Sequence, residues 1–187
     1  MMVRQFHTSG WYRSILRLCF ILTLAVMWTA FAATDIAGSQ AQAAAAENAM
    51  PPTGICYQAH VQNVGWQRVV CDGQQAGTTG QSLRMEAVRI WLARPVGRMR
   101  VCYQAHVQDI GWQPWVCDGQ QAGTTGRSLR IEAVRIALVR APWHWNVCYK
   151  AHVQDIGWQK ATCDGNQAGT TGKSLRLEAI QIYLIRH

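Results

Sequence analysis

One long string of residues is written three times in this chain, and that repetition constrains the fold more than any other feature. In its second copy it runs Val101-Cys102-Tyr103-Gln104-Ala105-His106-Val107-Gln108-Asp109-Ile110-Gly111-Trp112, then Cys117-Asp118-Gly119, then Ala122-Gly123-Thr124-Thr125-Gly126, then Arg130-Ile131-Glu132-Ala133. The first cysteines, Cys56, Cys102 and Cys148, give the period without any insertion: 102 − 56 = 148 − 102 = 46 residues. Self-similarity at a fixed period of this size is the mark of a repeat architecture, in which each copy cannot bury its apolar face alone. The copies span 55–93, 101–139 and 147–185, and the reading is a single domain over 55–187.

What precedes the repeats is of another kind. Arg4, Arg13 and Arg17 lead into an apolar run from Leu18 to Ala33, interrupted only by Thr23 and Thr29, and small-x-small triplets follow at Ala30-Phe31-Ala32 and Ala41-Gln42-Ala43. This pattern predicts a secretory signal peptide over 1–43, cut after Ala32 or Ala43. The run is shorter than the roughly 20 residues that a spanning helix needs. The alanine-rich stretch 44–54 reads as a disordered spacer. Beyond the leader the charge is 18 − 3 basic against 10 − 1 acidic residues, or +6. These charges are scattered along the repeats rather than clustered on one stretch, which argues against a nucleic-acid partner. They suit solubility and attraction to an anionic cell surface, with no membrane contact once the leader is removed.

Of the seven cysteines, Cys19 lies in the leader, leaving an even number in a chain expected to be secreted, so disulfides are implied. Three pairings treat the copies alike: closure within each repeat, or exchange with one neighbour or the other. A hairpin with its turn at Asp109-Ile110 favours closure, because it sets Cys102 opposite Cys117, and by the same register Tyr103 opposite Val116, Ala105 opposite Pro114 and Val107 opposite Trp112. The expected bridges are Cys56–Cys71, Cys102–Cys117 and Cys148–Cys163. No two cysteines have zinc-finger spacing. In this register Gln104, His106 and Gln113 share the outer face, and Trp66, Trp112 and Trp158 fall on the core face.

Downstream, Asp118-Gly119 signals a turn and Gln120 to Gly126 an irregular loop. Alternation resumes at Leu129, Ile131 and Ala133, then shifts phase to Val134, Ile136 and Leu138, which predicts a β-bulge. No helical period is present. The fold class is all-β: a threefold pseudo-symmetric closed architecture of three repeats, β-prism-like, with the β-trefoil as the alternative. The motif set Tyr-x-Ala-His-Val-Gln-x-x-Gly-Trp, Cys-Asp-Gly, Ala-Gly-Thr-Thr-Gly and Arg-x-Glu-Ala resembles the ChW family, the clostridial hydrophobic repeats named for their Gly-Trp. The resemblance covers about Cys56 to Arg186. It implies a secreted or cell-surface protein acting in adhesion, polysaccharide binding or extracellular assembly, and no established reaction. Members commonly do without the paired cysteines.

Several constellations compete for a chemical role. Gly172-Lys173-Ser174 ends a Gly/Thr-rich loop, but a phosphate loop needs glycine where Gln167 stands, and the sister repeats carry Gln81 and Arg127 in place of Lys173. His60, His106 and His152 could gather around a metal on a threefold axis, yet the hairpin puts them on the outer face, so neither metal nor cofactor is expected. Arg84/Glu86, Arg130/Glu132 and Arg176/Glu178 stand two apart on one strand face, a spacing for structural ion pairs. Three identical sets suit packing or multivalent binding better than catalysis, which normally needs one pocket per domain. The candidate ligand surface is therefore the outer face: Gln58, His60, Asn63 and Gln67; Gln104, His106, Asp109 and Gln113, with Trp115 added; and Lys150, His152, Asp155 and Gln159. Amide, imidazole and carboxylate groups supply the donors and acceptors that sugar hydroxyls require. Trp91, Trp115, Trp143 and Trp145 break the repeat and mark further contact surface. The leading expectation is a non-catalytic binding module for polysaccharide or cell-wall material. A module that binds or inhibits another extracellular protein is the alternative, and a carbohydrate-active enzyme comes third.

Overall fold

The computed structural model describes residues 54–187; the leader expected over 1–43 and the spacer up to residue 53 lie outside the described residues. Strict alternation decides the first strand of each repeat. In β1 (Ile55–Val61) the side chains of Ile55, Tyr57, Ala59 and Val61 are fully buried, while Gln58 and His60 between them reach the other face. Two short strands, β2 (Gly65–Trp66) and β3 (Val70–Cys71), pair antiparallel along one edge of β1, and the long β5 (Met85–Leu92) pairs along the other. Between β3 and β5 lies the two-residue strand β4 (Ala76–Gly77). The second repeat repeats the set as β6 (Arg100–Val107), β7 (Gly111–Trp112), β8 (Val116–Cys117), β9 (Ala122–Gly123) and β10 (Ile131–Val139). The third does so as β11 (Trp145–Val153), β12 (Gly157–Trp158), β13 (Thr162–Cys163), β14 (Ala168–Gly169) and β15 (Leu177–Arg186).

The result is three similar five-stranded antiparallel sheets, and none of them belongs wholly to one repeat. Strand β9 of the second repeat pairs with β5 of the first, β14 of the third with β10 of the second, and β4 of the first with β15 of the third. The exchange therefore runs round a closed cycle and ties the first repeat to the last. The inner faces of all three sheets share one apolar core, with Tyr57, Ile90, Tyr103, Ile136, Tyr149 and Ile182 among its largest members. Among the described residues no sheet closes into a barrel, and no helix is long and apolar enough to cross a membrane.

Each exchanged strand is locked by the tyrosine at the start of its own repeat. The Tyr103 hydroxyl donates to the carbonyl of Gln120 in its own loop and accepts from the Ile90 amide of the preceding repeat at 3.0 Å. Tyr149 does the same with Asn166 and Ile136, and Tyr57 with Gln74 and Ile182. The glycine of the exchanged strand is required twice over. Gly123 has φ +95°, and a Cβ there would overlap the Glu86 carbonyl oxygen and the Cα of Ala87.

The cysteines pair within repeats as expected: Cys56–Cys71, Cys102–Cys117 and Cys148–Cys163 join directly opposed residues whose Cα atoms lie 4.0–4.1 Å apart. The hairpin register needs a correction. At the cysteine end Tyr103 does face Val116, but near the turn His106 faces Trp112 and Val107 faces Gly111. Three residues, Gln113 to Trp115, oppose two on β6, so one extra residue bulges out. A one-residue slip sends side chains to the opposite face, and Trp66, Trp112 and Trp158 thereby leave the core and stand half-buried beside the histidines. The bulge predicted in the long strand is present. Ile131 faces Val107 and Ala133 faces His106, leaving Glu132 as the extra residue, with Glu86 and Glu178 its equivalents.

Two measurements test this account. Gly123→Ala should cost about 3 kcal/mol or more in urea denaturation, as strain plus steric overlap does elsewhere; a variant as stable as the parent would mean that the exchanged strand is not tightly seated. Burial pushes the hydroxyls of Tyr57, Tyr103 and Tyr149 up from 10.0 to about 12. Unfolded tyrosine releases its proton near pH 10, so between pH 10 and 12 the folded state binds more protons and stability falls as pH rises. Tyr103→Phe should be less stable at neutral pH by about 1–3 kcal/mol, the cost of an orphaned buried group. The same variant should lose less on going from pH 10 to 12.

Candidate functional site

The bulge at Glu86 determines what stands on the outer face. It turns the carboxylate back over the sheet, where it is buried to 5% exposure. A carboxylate taken out of water must be paired, and the residue just before the strand supplies the first partner: Arg84 Nε and Nη2 donate to Glu86 Oε1 at 3.0 and 2.8 Å. The second comes from the neighbouring strand, where His60 Nδ1 lies 3.1 Å from Glu86 Oε2. The cluster recurs with nearly identical geometry as Arg130, Glu132 and His106, and as Arg176, Glu178 and His152. The Arg/Glu ion pairs expected from the two-residue spacing are thus present. The histidine's place in them is not visible from spacing, because it depends on the bulge.

The histidine leads on to the tryptophan brought across by the corrected register. The His60 and Trp66 rings meet edge to face with centroids 5.4 Å apart, as do His106 with Trp112 and His152 with Trp158. One face of each indole carries a cation. Arg89 lies 4.3 Å from the Trp66 ring centre and Arg135 4.4 Å from that of Trp112. The third repeat has Gln181 at the corresponding position, and there Lys150 supplies the charge, 5.1 Å above Trp158. Gln58/Arg89, Gln104/Arg135 and Lys150/Gln181 are directly opposed cross-strand pairs. The cation has changed strands and remained over the ring. Sequence reasoning placed Lys150 in the outer set but missed Arg89 and Arg135. The signal available was this exchange of Gln/Arg for Lys/Gln between opposed positions.

The expected outer set divides in three. His60, His106 and His152 join the clusters. The glutamines after the tryptophans turn toward the exchanged strands: Gln67, Gln113 and Gln159 accept from the amides of Gly77, Gly123 and Gly169 at 2.6, 2.6 and 2.7 Å. Gln58 donates to the Gln67 carbonyl at 3.0 Å, and Gln104 is buried. Asn63, Asp109 and Asp155 stand exposed at the hairpin tips with φ near +60°, a conformation that short polar side chains tolerate. Trp115 is exposed on the bulged segment of the second repeat.

Comparison with known families now has a geometry to refer to. The family described as "Clostridial hydrophobic W" matches residues 60–94, 106–140 and 152–186, more than half of the chain. The chain belongs to the ChW family. Each matched ChW segment begins at the cluster histidine and contains the Gly-Trp, the exchanged Ala-Gly strand, and the Arg-x-Glu bulge. The bridging tyrosine and the first cysteine of each disulfide lie just before the matched ChW segments. No curated protein and no solved structure matches the chain.

The exchange of charge in the third ChW repeat can be tested directly. Lys150→Gln should lower stability by about 0.5–1 kcal/mol, the worth of an exposed cation–π contact. Adding Gln181→Arg, which recreates the pair of the first two repeats, should restore it. Failure of the second substitution to rescue would show that the cation over Trp158 contributes nothing.

Proposed function

We propose that the chain is a secreted, non-catalytic binding module that recognises polysaccharide or cell-wall material through three repeated shallow sites centred on Trp66, Trp112 and Trp158. The observation that carries this reading is the cation held over a half-exposed indole in all three repeats, even where its source has moved from Arg to Lys. A half-exposed plate of indole and guanidinium, edged by imidazole, offers apolar C–H contact and hydrogen-bond donors together, which is what a sugar ring and its hydroxyls need. The carboxylate in each cluster is buried against an arginine and a histidine, an arrangement that supports holding the plate rather than acid–base chemistry. We read the three-sheet arrangement with exchanged strands as prism-like, with one site on the outer face of each sheet. Three disulfides support an oxidising, extracellular setting.

A second reading, in which the partner is another extracellular protein, is favoured by the linker between the second and third repeats. Trp143 there is 89% exposed, its ring 5.5 Å from that of His144. Large exposed aromatics of this kind are typical of protein contact surfaces.

Sites of this shape bind weakly one at a time, and affinity for a polymer comes from linking them. Replacing one, two and then all three of His60, His106 and His152 by alanine should reduce retention on insoluble polysaccharide or peptidoglycan in steps, by roughly tenfold or more per site lost. Undiminished retention in the triple variant, with Trp143→Ala abolishing it, would transfer the function to the linker.

A further inference from the structure

The repeats are nearly identical, so residues that break the pattern and converge in space are informative. Three of them, Trp91, Arg98 and Arg100, converge with Arg140, whose equivalents are Arg94 and Arg186, at the junction of the first and second repeats in an open cleft of about 460 Å³. Its apolar wall is Trp91, which stands where the other repeats carry Ala137 and Tyr183, with the buried Met99 behind it. The rim holds three guanidinium groups, Arg98, Arg100 and Arg140, and one carboxylate, Asp118.

The charges do not cancel. Arg100 Nε pairs with Asp118 Oδ2 at 2.6 Å, and Asp118 Oδ1 already accepts from the Val101 amide at 3.2 Å. That leaves Arg98 and Arg140, neither of which has an ion-pair partner among the described residues. Arg140 is also held at φ +56°, an uncommon conformation for a residue with a side chain. Two unpaired guanidinium groups beside an indole wall, in a cleft of ligand size, are complementary to an oxyanion carried on a small ring. A guanidinium fork engages carboxylate or phosphate oxygens two at a time.

We infer that this cleft is a fourth, non-repeated site for an anionic sugar unit, with the carboxylate or phosphate held by Arg98 and Arg140 and the ring against Trp91. The choice of a sugar as carrier of the charge rests on the polysaccharide reading above; the choice of an anion does not. Such a site makes the module select among polymers. The three repeated sites supply general retention, and the cleft adds affinity for chains that bear acidic units.

Calorimetric titration of the oxidised protein with trigalacturonate, its neutral methyl ester, glucose 6-phosphate and inorganic phosphate tests this. Trigalacturonate or glucose 6-phosphate should bind at least tenfold more tightly than the ester, and whichever of the two binds better identifies carboxylate or phosphate as the native anion. The double substitution Arg98→Gln, Arg140→Gln lies at exposed positions and should remove that tenfold preference while leaving retention on neutral polysaccharide unchanged. Trp91→Ala should weaken the acidic sugars but not inorganic phosphate. Equal binding of acid and ester would overturn the proposal, as would a double variant that keeps the preference. Inorganic phosphate binding as tightly as the sugar phosphate would overturn the part assigned to the ring. A protein that binds trigalacturonate but no neutral polymer sinks the three-site reading and leaves the cleft standing.

Discussion

The two-residue strand that each repeat lends to its neighbour is the contact on which the rest depends. Ala122–Gly123 is too short to stand alone, and it is held from both sides: by ladder pairing to Ala87 and Val88, and by the Tyr103 hydroxyl that joins its loop to the Ile90 amide. A single repeat has five strands, three of them only two residues long, and one apolar face, which is marginal in water. Exchange around a closed cycle makes every repeat the edge cover of another. The same strand pairs with Ala87, which is fully buried although it lies opposite His60 of the outer face. Edge strands that would otherwise be open to pairing with other chains are shielded in this way.

The outer face follows from the same geometry. The β-bulge in the long strand, next to its pairing with the lent strand, also aims Glu86, Glu132 and Glu178 at positions almost closed to water. Each then requires its arginine and histidine, and the histidine in turn supports the tryptophan. The half-exposed indole with a cation on one face is therefore the last link of a chain that begins with backbone irregularity. This coupling explains why the Gly-Trp and the Arg-x-Glu of one ChW repeat, twenty residues apart in roughly the same register in each copy, act as one unit.

Symmetry concentrates information at its breaks. Where three copies agree, packing accounts for most of the agreement, and the glutamines Gln67, Gln113 and Gln159 are an example: equivalent, polar, and engaged with the backbone of the lent strand. Where they differ, some changes compensate, as Lys150 does for the arginine missing opposite it, and others collect at a junction, as Trp91, Arg98 and Arg100 do. The first kind preserves a common site and the second builds a distinct one.

The all-β class, the three tandem repeats, the disulfide pairing and the bulge in the long strand were legible in the amino-acid sequence. All of these follow from local alternation and from a period that treats three copies alike. The sequence also pointed to the Arg84/Glu86 pairing through a two-residue spacing written in all three copies, although Arg84 stands just before β5 and Glu86 on its bulge. Folding in three dimensions settled three other things. It moved Trp66, Trp112 and Trp158 out of the core, because one extra residue after the tryptophan shifts the register and a shift of one reverses the face. It turned Gln113 and its equivalents inward, because their partner is a strand from the next turn of the loop that no hairpin register contains. And it brought Trp91 and Arg140 to one cleft across 49 positions of sequence (140 − 91), because no local pattern states which strand ends meet when the sheets pack together.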